Sequence, residues 1–133
     1  MAVLRSETRP VRSAEDVVQV RQAVRRLAVE LHFSLVDQTK VVTAASEIAR
    51  NTLDYGGGGT LRLEVLNDAD RRGLRLVFED KGPGIADVAQ ALKDGYTTGG
   101  GLGLGGARRL CNEFDIVSRP GEGTRVTLTR WRS

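Results

Sequence analysis

A carboxylate and an amide in one helical segment are the first side chains whose types and spacing could do chemistry. Glu47 and Asn51 lie four residues apart, so a helix would place them one turn apart on the same side. The carboxylate could accept a proton, and the amide oxygen could ligate a hard cation such as Mg²⁺. An ordinary solvated helix face would carry the same residue types, so the pair alone leaves both interpretations open.

A second group of residues follows a predicted strand. Asp80 begins the segment DKGPG, in which Gly82 and Gly84 are the two glycines. A carboxylate at the end of a strand can accept a hydrogen bond from an exocyclic amine, and glycines beside it let a flat ring approach the backbone. Asp, Gly and Pro are also common turn residues, so a plain turn is the alternative.

The densest run of glycines, GGGLGLGG at residues 99–106, precedes a helical segment. Backbone amides of such a loop, together with the helix dipole, can bind phosphate. The alternative is a flexible loop that binds nothing. The run lacks the preceding strand of a dinucleotide-binding fingerprint and the Gly-Lys-Ser/Thr of a P-loop. A further segment, GEGT at 121–124, has the pattern of a hairpin turn before the last strand.

The elements that must position these residues follow from hydrophobic periodicity. Asp37 is expected to cap the second helix. Strands are predicted at 2–12, 61–65, 74–79, 114–118 and 124–130, and helices at 14–31, 38–54, 85–94 and 104–113. This order predicts an α+β fold, a two-layer α/β sandwich with a mixed, mostly antiparallel sheet and helices on one face. We expect residues 1–133 to form a single domain.

Composition excludes several classes of protein. Apolar residues make up 40% and charged residues 28% of the 133 residues, which is typical of a globular protein. No apolar run approaches the roughly 20 residues that cross a bilayer, so no membrane association is expected. The net charge of +3 is interspersed and aromatic residues are 5%, which argues against nucleic acid as a partner. One cysteine and no signal-peptide pattern predict a cytoplasmic protein.

The order of the four segments is more specific than any one of them. Glu-x-x-x-Asn on a helix, Asp-x-Gly-x-Gly after a strand, a glycine-rich loop before a helix, and Gly-x-Gly-Thr resemble the GHKL (Bergerat) ATP-binding fold over about residues 13–131. Within that family, the sequence resembles the RsbT-type switch kinases of bacterial stress modules. These are anti-sigma-factor-type serine/threonine kinases. The resemblance lies in residues 37–38, 43–51 and 94–103 and in Trp131, which follows the last predicted strand.

The resemblance implies ATP and Mg²⁺ as cofactors and a role for each site residue. Asn51 would ligate Mg²⁺ that bridges the phosphates, and Glu47 would be the general base. Asp80 would accept a hydrogen bond from the adenine amine, and Thr124 would support the adenine. The remaining residues would shape the adenine pocket (Gly82, Gly84), wrap the phosphates (Gly101, Gly103, Gly105) or close over them (Thr97, Thr98).

The function implied by the resemblance is phosphorylation of a partner protein. The substrate would be a STAS-domain antagonist, and the kinase would also bind and activate a PP2C-type phosphatase, as a partner-switching regulator of a stress-response or sigma-factor pathway. The alternative is an anti-sigma factor that sequesters a sigma factor with ATP as a ligand, for which Glu47 would not be needed. The segment at 94–104 argues against a third interpretation, the detached ATP domain of a histidine kinase.

Overall fold

The computed structural model describes residues 1–93 and 103–133 of the chain. A strand and two long helices come first, then a hairpin, two short helices and a second hairpin. In chain order they are β1 (Ala2–Val11), α1 (Ala14–Glu30), α2 (Leu35–Asp54), β2 (Gly59–Asp68), β3 (Arg71–Asp80), α3 (Val88–Ala91), α4 (Gly103–Arg109), β4 (Glu113–Arg119) and β5 (Gly123–Trp131).

The described strands form one sheet in the order β1-β2-β3-β5-β4, in which every neighbouring pair is antiparallel. Alternate residues of β3, namely Leu74, Leu76 and Phe78, are buried in the core beneath the helices. Their period of two is why this sequence forms a strand with one face on the core. The predicted α+β sandwich with a mostly antiparallel sheet is confirmed.

The long helices cover that face with apolar stripes. Val20, Val24 and Leu27 of α1 and Val41 and Ile48 of α2 are at most 2% exposed. Each such side chain contributes about 1.5–3 kcal/mol when it leaves water. Burial of these stripes holds α2 on the sheet, and so determines which side of α2 meets the ends of the strands.

The start of α2 differs from the prediction. Ser34, not Asp37, is the N-cap: its hydroxyl accepts a hydrogen bond from the Asp37 amide at 3.1 Å. The helix therefore begins at Leu35, three residues before the predicted position. The Asp37 side chain is instead paired with Arg130, a partner 93 residues away that no local pattern could reveal.

The short helices are shorter than predicted. After Arg109 the chain leaves α4, and the Asn112 amide donates to the Thr129 carbonyl of β5 at 2.9 Å, which joins the chain to the sheet. The predicted helix over 104–113 extended four residues too far, because short apolar patterns fit both helix and strand. Among the residues described, no helix has the length and apolar character to cross a membrane.

Candidate functional site

Three distant segments of the chain line one cavity. Asn51 comes from the last turn of α2, Asp80 ends β3, and Thr124 is the second residue of β5. Asp80 and Thr124 are direct partners across the antiparallel pair. The remaining wall is mostly apolar, with Ile48, Phe78, Ile85 and Val126 beside the hydroxyl-bearing Thr52 and Tyr55. The fold therefore brings together an amide, a carboxylate and a hydroxyl in an apolar setting.

The cavity is narrow in this conformation. Its free volume is about 10 Å³, which holds about one water molecule. Tyr55 lines the cavity and is also 46% exposed, so it lies at the mouth. A purine ring would enter only after side chains at this mouth move.

Backbone packing holds Asp80 in place. Its Oδ1 accepts a hydrogen bond from the Gly82 amide at 2.9 Å. A Cβ atom on Gly56 would lie 2.3 Å from the Asp80 Cγ, and one on Gly82 would lie 2.6 Å from the Gly56 carbonyl oxygen. The two glycines thus let the end of α2 and the loop after β3 close around the carboxylate. Sequence reasoning did not single out Gly56, and so missed this contact.

Thr124 is oriented by a serine that sequence reasoning also missed. The Ser118 hydroxyl accepts a hydrogen bond from the Ile85 amide at 2.7 Å and donates to the Gly123 carbonyl at 3.1 Å. Its one proton is then used, so Thr124, whose oxygen lies 2.7 Å away, is the donor to Ser118. The Thr124 oxygen keeps its acceptor capacity. A lone serine in an alternating strand carries no signal for this role.

Gly84 packs the loop after β3 closely against the chain that leaves β4. Its φ is +77°, and a Cβ atom there would lie 2.1 Å from the Arg119 carbonyl oxygen. The Gly121 amide also donates to the Pro83 carbonyl at 2.7 Å. These contacts fix the loop after β3 against the β4–β5 turn, so Gly84 contributes close backbone packing, as Gly82 does.

Glu47 lies one turn before Asn51 on α2 and reaches the start of α4. Its Oε2 accepts a hydrogen bond from the Gly103 amide at a long 3.4 Å. Gly103 begins α4 with φ +71°, and Gly105 lies within α4, where a Cβ atom would be 2.3 Å from the Leu92 carbonyl oxygen. The described contact of Gly105 is thus helix packing. Thr97, Thr98 and Gly101 lie outside the described residues.

Other reactive residue types lie apart from this cavity. Arg50 is exposed on α2, and His32 is exposed with φ +62°. Burial raises the pKa of the Cys111 thiol to about 12, and its Sγ lies 3.3 Å from the Ala107 carbonyl oxygen. In residues 1–93 and 103–133, no cluster of three or more His, Cys, Asp or Glu side chains could hold a metal ion.

Residues 36–132 match the family described as histidine kinase-, DNA gyrase B- and HSP90-like ATPases. The chain belongs to this family, the GHKL ATPases. It is 44% identical over 118 residues to the serine/threonine-protein kinase RsbT of Bacillus subtilis, covering 87% of this chain and 89% of RsbT. It is 26% identical over 118 residues to an anti-sigma F factor of Thermoanaerobacter pseudethanolicus, covering 84% of this chain and 82% of that protein.

Two solved structures share the fold. One contains the RsbU and RsbW domains of Rv1364c from Mycobacterium tuberculosis, with a TM-score of 0.63 and 21% identity; it covers 96% of this chain, which spans about a third (32%) of that one. The other is the SiaB–SiaC complex from Pseudomonas aeruginosa, with a TM-score of 0.57 and 16% identity over 97% of this chain and 90% of that one.

These relationships confirm two sequence predictions, a GHKL fold and a protein serine/threonine kinase that uses ATP. The alternative of an anti-sigma factor without kinase function is not favoured, because identity to RsbT is much higher than to the anti-sigma factor.

Proposed function

We propose that this kinase phosphorylates a serine or threonine of a STAS-domain antagonist, as a partner switch in a stress-response or sigma-factor pathway, and that residues 1–133 form one kinase domain. The observation that supports this most strongly is the cavity shared by Asn51, Asp80 and Thr124, with Glu47 one turn away on α2. A kinase needs these functions on one side of one fold, because phosphoryl transfer depends mostly on positioning and electrostatic stabilisation.

Asp80 and Thr124 are the adenine-binding residues in this proposal. One oxygen of Asp80 already accepts the Gly82 amide, which leaves the second oxygen as an acceptor for the exocyclic amine. Thr124 donates to Ser118 and keeps lone pairs for the base or for a bridging water. The apolar wall of Ile48, Phe78 and Val126 suits a flat aromatic ring.

Asn51 is the proposed Mg²⁺ ligand. Its amide oxygen is a hard donor of the kind that Mg²⁺ prefers, and the described residues offer no carboxylate cluster as a competing site. The protein would supply few ligands, and phosphate oxygens would supply the rest. When bound, the ion neutralises charge on the phosphates. The glycines of the 101–105 segment, with Thr97 and Thr98, would enclose those phosphates.

Glu47 is the proposed general base. The substrate hydroxyl oxygen forms a bond to the γ-phosphorus, the bond from that phosphorus to its bridging oxygen breaks, ADP leaves, and Glu47 takes the hydroxyl proton. The 3.4 Å contact with the Gly103 amide is long for a hydrogen bond. The Gly103 amide contacts Oε2, so in this proposal Oε1 accepts the substrate hydroxyl while Oε2 keeps its contact with α4.

The regulatory step follows from the chemistry of the product. A phosphoserine or phosphothreonine adds about two negative charges to a surface that previously packed against the kinase. The kinase would then leave the antagonist and bind a second partner, a PP2C-type phosphatase, and activate it. We infer that this takes place in the cytoplasm and involves neither nucleic acid nor membrane. A sigma factor as a direct partner is the less favoured alternative.

The test is incubation with γ-labelled ATP, Mg²⁺ and candidate STAS-domain proteins, followed by mass spectrometry of the labelled protein. We expect one labelled serine or threonine with the wild-type chain. Glu30→Ala removes an exposed carboxylate that pairs with Arg5 on another part of the fold, and is the matched control for Glu47→Ala. Absence of label on every STAS-domain candidate would contradict the proposed substrate class.

A further inference from the structure

A buried ion pair lies at the end of α2 opposite the cavity. The Arg130 Nη2 of β5 is 2.6 Å from the Asp37 Oδ1 in the first turn of α2, and their side chains are 13% and 3% exposed. Asp37 also accepts hydrogen bonds from the Ser133 amide at 3.2 Å and hydroxyl at 2.5 Å. Asp37 precedes Glu47 by ten residues, about 15 Å along the helix, so this pair cannot touch the reacting atoms.

Arg130 also holds the end of α4. Its Nη1 donates to the Leu110 carbonyl at 3.2 Å, immediately after α4 ends at Arg109. One guanidinium group thus bridges the N-terminal turn of α2 and the C-terminal end of α4. Both contacts suit the helix dipoles, because a carboxylate lies at a helix N-terminus and a cation at a C-terminus.

The opposite end of α4 meets the proposed base. There the Gly103 amide donates to Glu47, so α4 contacts α2 at its start through Glu47 and is tied to α2 at its end through Arg130. Between these points Leu104 and Ala107 are buried in the core. A shift of the α4 C-terminal end would pass along a helix of seven residues to Gly103.

Within the described part of the chain, the arrangement leaves one nitrogen of Arg130 without a hydrogen bond. Its Nε is buried and has no hydrogen-bond partner within residues 1–93 and 103–133. A buried donor without a partner destabilises a protein. Because Nε makes no hydrogen bond among the described residues, the position of the guanidinium is set by Nη1, which donates to the Leu110 carbonyl, and by Nη2, which donates to Asp37.

We propose that Arg130 is a positioning residue for phosphoryl transfer, which bridges Asp37 and the Leu110 carbonyl and so holds α4 where the Gly103 amide meets Glu47. This inference rests on the proposed role of Glu47 as the base. Asp37 is its anchor on α2. Burial alone would raise the pKa of Asp37, but hydrogen bonds from Ser133 and Arg130 and the charge of Arg130 hold it well below the usual range, so the anchor is ionised at neutral pH.

The first test is Arg130→Lys, which keeps the charge but cannot bridge two separate acceptors with one nitrogen. We expect kcat to fall about 10-fold while the KM for ATP changes less than about 2-fold, since misplacement of reacting groups acts on the chemical step. Arg132→Lys is the matched control, because Arg132 is exposed and donates to the Leu31 carbonyl at the end of α1 instead. That control should leave both constants unchanged.

A second measurement separates positioning from loss of folding. The amide resonance of Gly103 in a ¹⁵N-labelled sample should shift in Arg130→Lys toward its position in Glu47→Gln, and should not shift in Arg132→Lys. Wild-type kcat in Arg130→Lys, an unmoved Gly103 resonance, or a rate loss equal to the fraction unfolded by thermal denaturation would overturn the inference. If the wild-type protein labels no substrate, the proposed function fails. The Gly103 resonance then tests by itself whether Arg130 holds α4 against Glu47.

Discussion

The two ends of α2 use polar side chains in opposite ways. At the Asp37 end, a carboxylate that is 3% exposed meets three donors, from Arg130 and Ser133. At the cavity end, Glu47, Asn51 and Asp80 are only partly buried, and within residues 1–93 and 103–133 the two carboxylates each accept a single backbone amide. A buried carboxylate must be paired and hydrogen-bonded, whereas a group that binds a ligand needs acceptor capacity to spare. The difference separates an ion pair that fixes the position of helices from a site that binds ligands.

The largest effect should come from Glu47→Ala at the cavity end. We expect phosphoryl transfer to fall by about 10²–10⁴-fold, the usual contribution of a general base, with nucleotide affinity nearly unchanged. Transfer is measured with γ-labelled ATP and affinity by calorimetry. A variant that phosphorylates the partner at the wild-type rate would show that Glu47 is not the base. The cavity end of α2 would then differ from the Asp37 end in burial but not in a catalytic role.

Asp37→Asn tests the structural end. Loss of one partner of a buried pair leaves the Arg130 charge unpaired, so we expect the free energy of unfolding to fall by about 3 kcal/mol at pH 7. Chemical denaturation measures it. Asp70→Asn, an exposed carboxylate, should change stability by less than about 0.5 kcal/mol and is the control.

The same variant has a signature in its pH dependence. The pKa of Asp37 in the folded chain lies below its ordinary value of 3.8, so the unfolded state takes up the proton first as pH falls. The stability from Asp37 is fully present above pH 3.8 and is lost as pH falls through the lower pKa of the folded state. The difference between wild type and Asp37→Asn should therefore shrink below pH 3.8, and a constant difference would contradict the pairing.

Asp80→Asn should weaken ATP binding by about 1–3 kcal/mol, the cost of losing a charged hydrogen bond. Gly56→Ala sharpens this test, because its Cβ would occupy the space of the Asp80 carboxyl group without altering that group. We expect a loss of affinity in both variants by calorimetry. The adenine role of Asp80 would be wrong if Asp80→Asn bound ATP as the wild type does.

The smallest effect is expected for Ser118→Ala, which removes the acceptor of the Thr124 hydroxyl. Thr124 then loses its orientation, and ATP affinity should fall by about 1 kcal/mol. Calorimetry is the measurement, and Ser6→Ala on the edge strand β1 is the matched serine control. An equal change in both variants would show that Ser118 has no special part in the site.

Several elements could be predicted from local pattern alone. The alternation of Leu74, Leu76 and Phe78 predicted β3, and the helix predicted over 14–31 matches α1 to within one residue. The order of motifs predicted the GHKL family, which the match over residues 36–132 confirms. The roles of the individual site residues stay predictions. The boundaries of α3 and α4 were wrong, because short apolar patterns do not distinguish helix from strand.

By itself, the order of residues determined which segments are helices and strands and which side chains can accept protons or ligate a cation, because those properties depend on local periodicity and on functional groups. Only the tertiary structure decided that Asp37 pairs with Arg130, that Gly56 adjoins Asp80, and that Ser118 orients Thr124. Two of these contacts join residues far apart in sequence, and all three depend on which groups meet when the layers pack. Local sequence pattern carries no information about such contacts.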